Sequence, residues 1–479
     1  MPWLPEIKDR TIKVVANVGG VNPRSCRDAL ARAAAEAGID LSIGVVLGDD
    51  LLERADEIRG RGVTEMFSGA DFPDDVWSMN AYPGARPIAT VLDAGVDIVI
   101  TGRCADSSFV LGQLMHEFGW GDEDWDKLSQ GSLAGHLIER GPQGTGGNFT
   151  DWRDVPGWDD MGMPIVEVSE DGSFVVTKTP DTGGLVVPGS VGEQMQYEIG
   201  DPRAYLLPDV ICDWSGVALE QVGPDRVLVN GGKGLGRTGS YKVSATRADG
   251  WRAVFTLTLT LTVIDAPAKA ERVAEAILTR CRRIFRDRNM ADFRQVSVEV
   301  LGAKAVYGAN ARARTREEVL KMGAVNDDRA ALNVFADEIA PMAISTAQGL
   351  TGFYAGRPKV QPLVRLFSFL QDKADTPVAV EVDGKDVPVT VATGEVRLVD
   401  LAWGRSVDKG DIANIGIMAL KPDYLPYIRS ALTEEKVNEY FAHLCDGPVE
   451  RFDLPGSHAL NFLLHESLGG GIASVRIDP

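Results

Sequence analysis

The chain is poor in the residues that would announce cross-links or a metal. Its five Cys (Cys26, Cys104, Cys212, Cys281, Cys445) are far apart, odd in number and without a C-x-x-C pair. That excludes a disulfide framework and points to a reducing, cytoplasmic setting. The five His (His116, His136, His443, His458, His465) form no H-x-x-x-H pair, so no metal ligand is singled out, and only a His–carboxylate site built across loops stays open. No run of about 18 apolar residues is present, which excludes a membrane-spanning helix. Met1 to Arg10 lacks the apolar stretch of a signal peptide. There is no long Lys/Arg run either, and 49 Lys+Arg against 69 Asp+Glu give a formal net charge of −20. Such a chain repels polyanions, so no nucleic-acid partner is expected.

What is there is a globular composition: 479 residues, 44% apolar, with 52 Gly and 25 Pro. At roughly 100–200 residues per domain this suggests about two to four domains. Thr11 to Val18 reads as a strand, Gly19-Gly20-Val21-Asn22-Pro23 as a turn, Arg24 to Ala37 as a helix and Leu41 to Leu47 as a second strand. Downstream, Pro87 to Ala94 reads as a helix, Val96 to Ile100 as a strand and Thr101 to Asp106 as a turn into a helix near Ser107 to Phe118. These are βαβ units, so residues 10–150 are expected to form a Rossmann-like domain on a parallel sheet, with ligands at the turns after the strands. Asp49 and Asp50 stand where a ribose-binding acid would, but G-G-V-N-P is not G-x-G-x-x-G, and a dinucleotide is not the favoured reading.

Several residues in this region invite chemistry. Asp106 suits a helix cap or a crevice carboxylate, and Arg103 and Ser107 flank it. On the helix expected over Ser129 to Arg140, His136 and Glu139 stand three apart, where imidazole and carboxylate meet on a helix surface. Gly144 to Asn148 has the glycines, Thr145 and Asn148 of an anion-binding nest, without the Lys-Ser/Thr ending of a P-loop.

Residues 151–395 are expected to form an α+β domain. Pro164 to Val168 and Ser173 to Thr177 read as a hairpin, Ala253 to Ile264 as an alternating strand, and Asp383-Gly384 as a hairpin turn. The glycine loop Asn230 to Arg237 carries Lys233 and Arg237, a plausible phosphate contact in so acidic a chain, and Ala347 to Lys359 would suit adenine or phosphate. The arginines of Arg272 to Arg288 read as a solvated helix face. In residues 396–479 we expect strands at Val396 to Ala402, Asn414 to Leu420, Val449 to Leu454 and Ile472 to Ile477. Helices are expected at Asp423 to Ala442 and Ser457 to Leu468, giving a small ferredoxin-like α+β domain. Gly404 to Asn414 and Gly469 to Gly471 read as polar loops, the first with Arg405, Asp408, Lys409, Asp411 and Asn414.

Together, Thr101 to Asp106 (TGRCAD), His116 to Trp120, Ala134 to Leu137, Thr145 to Phe149 (TGGNF), Gln196 to Pro202 and the Gly231-to-Tyr241 loop resemble the acyclic terpene utilisation (AtuA) family. The last 80 or so residues, with Ser406 to Asp411 and Ala459 to Phe462 before the triple glycine, resemble its ferredoxin-fold domain. One departure stands out: Arg140-Gly141-Pro142-Gln143 replaces the Cys-Gly-Ala-Gln that the family pattern has before T-G-G-N-F. The resemblance implies a catabolic setting that handles branched acyl-CoA thioesters beside biotin-dependent carboxylases and enoyl-CoA hydratases.

These readings converge on a cytoplasmic, homo-oligomeric enzyme that adds water to, or removes it from, a branched acyl-CoA or related carboxylic substrate, with CoA entering only as part of that substrate. Asp106, His136 and Glu139 would act as acid and base. Gly19, Gly20, Asn22, Arg103, Ser107, Thr145, Gly146, Gly147, Asn148, Lys233, Arg237, Asp408, Lys409 and Asn414 would bind substrate or anion. The alternative is a non-catalytic scaffold or accessory subunit of an acyl-CoA carboxylase-type assembly.

Overall fold

The computed structural model describes residues 3–18, 22–259, 265–303, 305–311, 318–350, 356–392, 398–409 and 411–467. They fall into two compact units, one of Met1–Phe72, Met79–Ser244 and Ser368–Pro479, the other of Pro73–Ser78 and Ala245–Phe367.

The first unit opens on three parallel strands in the order Val14–Ala16, Ile98–Thr101, Ile43–Leu47. Their sequences are nearly unbroken apolar runs, as in a parallel sheet covered on both faces, and Ile98 to Thr101 are all buried. The wholly parallel Rossmann-like sheet expected here is replaced by a mixed one. Its far edge is an antiparallel hairpin, Ala379–Val382 and Lys385–Val387, drawn from the other end of the chain. The hairpin turns where the sequence predicts, with Asp383 (φ 48°) and Gly384 (φ 79°) both in the left-handed region that a two-residue turn demands. Asp383 also accepts the N–H of Ile43 at 2.9 Å, which fixes the register of the added strands.

The helices Ser108–Phe118 and Trp125–Ile138 pack on a second, antiparallel sheet. Its strand order is Pro164–Val168, Phe174–Lys178, Arg226–Asn230, Ala218–Gly223. Leu111, Leu133 and Leu137 from the helices meet Phe174, Val176, Val227 and Val229 from the strands in one core.

Near the C-terminus a four-stranded antiparallel sheet runs in the order Ala402–Lys409, Ile412–Ala419, Ala459–Leu464, Val449–Leu454, with the helices Leu425–Ala431 and Glu434–Phe441. Several expectations change here: in the strand expected over Val396 to Ala402, Leu398–Leu401 is a short helix, and the helix expected over Asp423 to Ala442 is two. The helix predicted from Ser457 is the strand Ala459–Leu464, in which buried Leu460, Phe462 and Leu464 alternate with half-buried Asn461 and Leu463. The loop predicted over Gly404 to Asn414 is two paired strands, in register from Ala402 opposite Ala419 to Lys409 opposite Ile412. The triple glycine, the strand expected over Ile472 to Ile477, and Gly19, Gly20 and Val21 lie outside the described residues.

The second unit is an antiparallel sheet with two helices. Gln295–Leu301, Glu318–Asn326, the part of Ser240–Leu259 from Ala245 on, and the part of Gln361–Asp372 up to Phe367 form the sheet in that order. Ala266–Asp287 and Arg329–Ser345 supply Ile277, Phe285, Leu332 and Phe335 to a core with Phe255, Leu320 and Met322. Arg283 and Arg286 stay exposed, as the sequence suggests. Among the described residues no helix is long and apolar enough to cross a membrane.

Candidate active site

The turn after Ile98–Thr101 is held from beneath by Asp49, which follows the neighbouring strand. Its buried carboxylate accepts the N–H of Arg103 at 2.8 Å and Nδ2 of Asn80 at 3.0 Å. Burial pushes the Asp49 carboxyl above its ordinary range despite these bonds. A methyl group on Gly102 would stand 2.1 Å from Asp49 Oδ1, so a larger residue there would displace this carboxylate from the turn. Asp49 is therefore a support for the turn, not a ribose ligand facing the crevice.

Arg103 donates from Nη2 to the Tyr82 hydroxyl at 3.0 Å. The expected cap by Asp106 does not form. The N-cap position is Ser107, whose backbone is already helical (φ −65°, ψ −17°) and whose side chain makes no cap bond. A cap needs an extended backbone there, so the Asp106 carboxylate is left exposed.

Arg103, Asp106 and Ser107 line a cavity of ≈ 370 Å³, together with His136 and Glu139. Its remaining polar wall includes Tyr82, Glu198, Tyr205, Thr238, Lys242 and Tyr427. His136 is buried, not on a solvated helix face. The helix that carries it comes so close to its neighbour that a Cβ on Gly135 would lie 2.6 Å from the Ser107 carbonyl oxygen. The imidazole ring sits 5.6 Å from the Trp214 ring and 6.4 Å from that of Tyr205. Its Nδ1 is 3.8 Å from Glu139 Oε1, beyond hydrogen-bond reach, and its buried Nε2 has no partner. Burial holds the imidazole pKa below its usual value, so the ring is neutral at pH 7.

Glu139 is the most strongly tuned acid of the cavity. Burial, and after it the negative charge of Asp106, push its carboxyl up to about 7. Arg140 opposes this, but its guanidinium is spent on Glu198 at 2.6 Å and lies 4.6 Å over the Tyr197 ring. Burial pushes the phenols of Tyr205 and Tyr427 up to about 12, so both remain donors at neutral pH. Lys242 is exposed and has no carboxylate within 4.0 Å among the described residues. A carboxyl that is half ionised at neutrality, a neutral imidazole and two cations around one cavity can move a proton next to an anionic or carbonyl group.

Among the described residues, Asn22, Thr145 to Asn148, Lys233, Arg237 and Asn414 do not line this cavity. Asn22 caps the helix Pro23–Glu36, its side chain accepting the N–H of Ser25 at 2.9 Å. The expected nest around Thr145 to Asn148 is a packed turn. The N–H groups of Gly146 and Gly147 donate to the carbonyls of Gln143 and Pro142, and the buried Thr145 hydroxyl donates to Gly162 O at 2.7 Å. Lys233 pairs with Asp126 at 2.7 Å. Arg237 donates to the Asp122 carbonyl and lies 4.7 Å over the Trp125 ring. Asp408 and Lys409 end the strand Ala402–Lys409, and Asn414 stands opposite Val407 on the next strand.

Of the lining residues that sequence reasoning missed, Glu198 belongs to the Gln196 to Pro202 stretch that carries the family resemblance. Tyr82, Tyr205, Lys242 and Tyr427 come from separate elements and leave no local pattern. Among the described residues no three His, Cys, Asp or Glu side chains are grouped as metal ligands.

The family model for the acyclic terpene utilisation family protein AtuA matches residues 1–382, and that for the AtuA ferredoxin-like domain matches residues 396–479. No curated protein and no solved structure matches the chain. The family match takes in the turn at Arg103, the helix with His136 and the stretch with Glu198, and the C-terminal match takes in Tyr427. With both models matched in order over nearly its whole length, the chain belongs to the acyclic terpene utilisation family, AtuA, and ends in that family's ferredoxin-like domain.

Proposed function

We propose that the protein is an acid–base enzyme that adds water to, or removes it from, the acyl part of a branched acyl thioester or related carboxylic substrate. The observation that carries this reading is Glu139, a carboxyl held at about 7, opening into the same cavity as Arg103, Asp106 and His136. The cavity volume of ≈ 370 Å³ lies near the lower end of the roughly 300–1,000 Å³ of small-molecule sites. It is sized for the acyl portion, with the carrier outside. Lys233 and Arg237, already partnered elsewhere, have no part in this version.

In the hydration direction, ionised Glu139 removes a proton from a water molecule whose oxygen bonds to the β-carbon of a 2-enoyl group. The negative charge that develops on the carbonyl oxygen faces Arg103 and Lys242, and Glu139 then returns the proton to the α-carbon. Dehydration is the reverse. Asp106 keeps the Glu139 proton in the working range, and neutral His136 orients the acyl chain beside Tyr205.

The test is turnover of a panel of 2-enoyl and 3-hydroxyacyl thioesters, followed by the conjugated enoyl absorbance. We expect a limb in the pH profile with a midpoint near 7. Glu139→Gln should abolish it and lower kcat by about 10²–10⁴-fold, and Asp106→Asn should move it to lower pH. No turnover across the panel by the folded wild type overturns the hydratase reading and favours the scaffold.

A further inference from the structure

Charge is divided unevenly between the two units. Residues 73–78 and 245–367 contain 19 Lys+Arg and 15 Asp+Glu, a formal +4, so the rest of the chain carries −24 of the total of −20. Within this basic unit a concavity of ≈ 240 Å³ is lined by Arg252, Arg357 and Lys359, with Val254 and Pro358 as apolar wall. The lining contains no acid.

Local structure explains how the three cations meet. On the strand Ser240–Leu259, Ala253 and Phe255 point to the core, which leaves Arg252 and Val254 exposed on the other face. The segment Gly356 to Lys359 leads into Gln361–Asp372, the next strand of the sheet, and brings Arg357 and Lys359 alongside. Several other cations of this unit are neutralised: Arg280 by Glu338, Arg282 by Asp292, Arg294 by Asp249 and Asp327, Lys321 by Glu299 and Arg365 by Asp249. Arg357 approaches Asp337 only at 3.9 Å. Arg252 and Lys359 have no carboxylate within 4.0 Å among the described residues.

We infer that this concavity is an anion site separate from the acid–base cavity, built for a phosphate-bearing small molecule. Three positive charges around one hollow exceed what a single carboxylate neutralises and match a group with two or more negative charges. Arg supplies paired N–H donors to phosphate oxygens and Lys a mobile third contact. Val254 and Pro358 offer the organic part of such a ligand a dry surface. The inference does not depend on the reaction proposed for the other cavity.

Calorimetric titration of the full chain with inorganic pyrophosphate at low ionic strength tests it. We expect saturable binding that weakens as salt is raised, and an affinity loss of at least tenfold in the double variant Arg252→Gln/Lys359→Gln. Arg283→Gln/Arg286→Gln, which removes the same charge from an exposed helix face of the same unit, should change affinity less than threefold. Absence of binding at millimolar pyrophosphate overturns the site. So does an equal loss in both variants, because general charge attraction would then explain the binding. Circular dichroism of each variant confirms that the fold is retained.

Discussion

Because Glu139 titrates near neutrality, it affects stability as well as rate. Its pKa in the folded chain, about 7, lies above that of an unfolded glutamate. The folded state therefore holds the proton more tightly. The group's contribution to stability is complete below about pH 4.5 and is lost as pH rises through 7. Glu139→Gln never ionises and escapes this loss. We expect the variant to be more stable than wild type at pH 8, by about 1–3 kcal/mol, and indistinguishable from it at pH 4. Urea denaturation at the two pH values measures this, and a variant equally or less stable at pH 8 contradicts it. At this scale Asp106, His136 and Glu139, which line one cavity, stand out in the sequence as candidates because strand-end turns and i,i+3 spacing are short-range patterns. Lys233 and Arg237 misled because a cation in a glycine loop looks the same in sequence whether it faces a ligand or, as here, Asp126 and the Asp122 carbonyl. The partners that pair these cations lie more than a hundred residues away.

Among the elements, the decisive contact is between the helices Ser108–Phe118 and Trp125–Ile138. A Cβ at position 135 would press on backbone atoms of Ser107, which cannot swing aside as a side chain does. Gly135→Ala should force the helices apart and cost about 1–3 kcal/mol, although alanine is the better helix former by up to roughly 1 kcal/mol. Since Ser107 and His136 flank the contact, turnover should fall along with the melting temperature. A variant as stable and active as wild type would show that the helices accommodate the methyl group. The βαβ start, the 164–178 hairpin and the Asp383-Gly384 turn were readable from periodicity and turn chemistry. The strand Ala459–Leu464 was not, because its Ala and Leu residues are good helix formers, and its strand character comes from pairing on both sides. Ala402–Lys409 was hidden by polar residues whose alternation only an antiparallel partner makes sense of.

At the scale of the whole molecule, the ferredoxin-like domain contributes to the cavity through Tyr427 and is tied down near it by Lys421. Burial pushes the Asp201 carboxyl up, but hydrogen bonds from Lys421 and Arg203 outweigh it and hold the group down to about 2. This ion pair joins the Gln196 to Pro202 stretch to the C-terminal sheet, where Ala204 and Leu206 pack against the domain's core. Its stabilisation is present above the ordinary aspartate pKa and is lost as pH falls through 2. Asp201→Asn should therefore cost about 1 kcal/mol at pH 7, with the difference closing towards pH 2. Equal urea midpoints at pH 7 would refute this. The charge contrast between the two units escaped the reading of composition, because a net −20 averages a basic piece into an acidic whole.

The sheet that holds Asp49 and the Arg103 turn is completed by a strand synthesised about 330 residues after the one it pairs with, Ala379–Val382 against Ile43–Leu47. At roughly 5–20 residues per second, the ribosome leaves that edge unpaired for roughly 20–70 s. Every lining residue of the candidate active site except Tyr427 precedes that strand in the chain. Nascent chains stalled near residue 370 should leave residues 14–101 open to protease, whereas chains released at full length should protect them. During that interval an unpaired apolar strand is exposed to its own neighbours on the polysome, so yield should depend on holding chaperones more than on final stability.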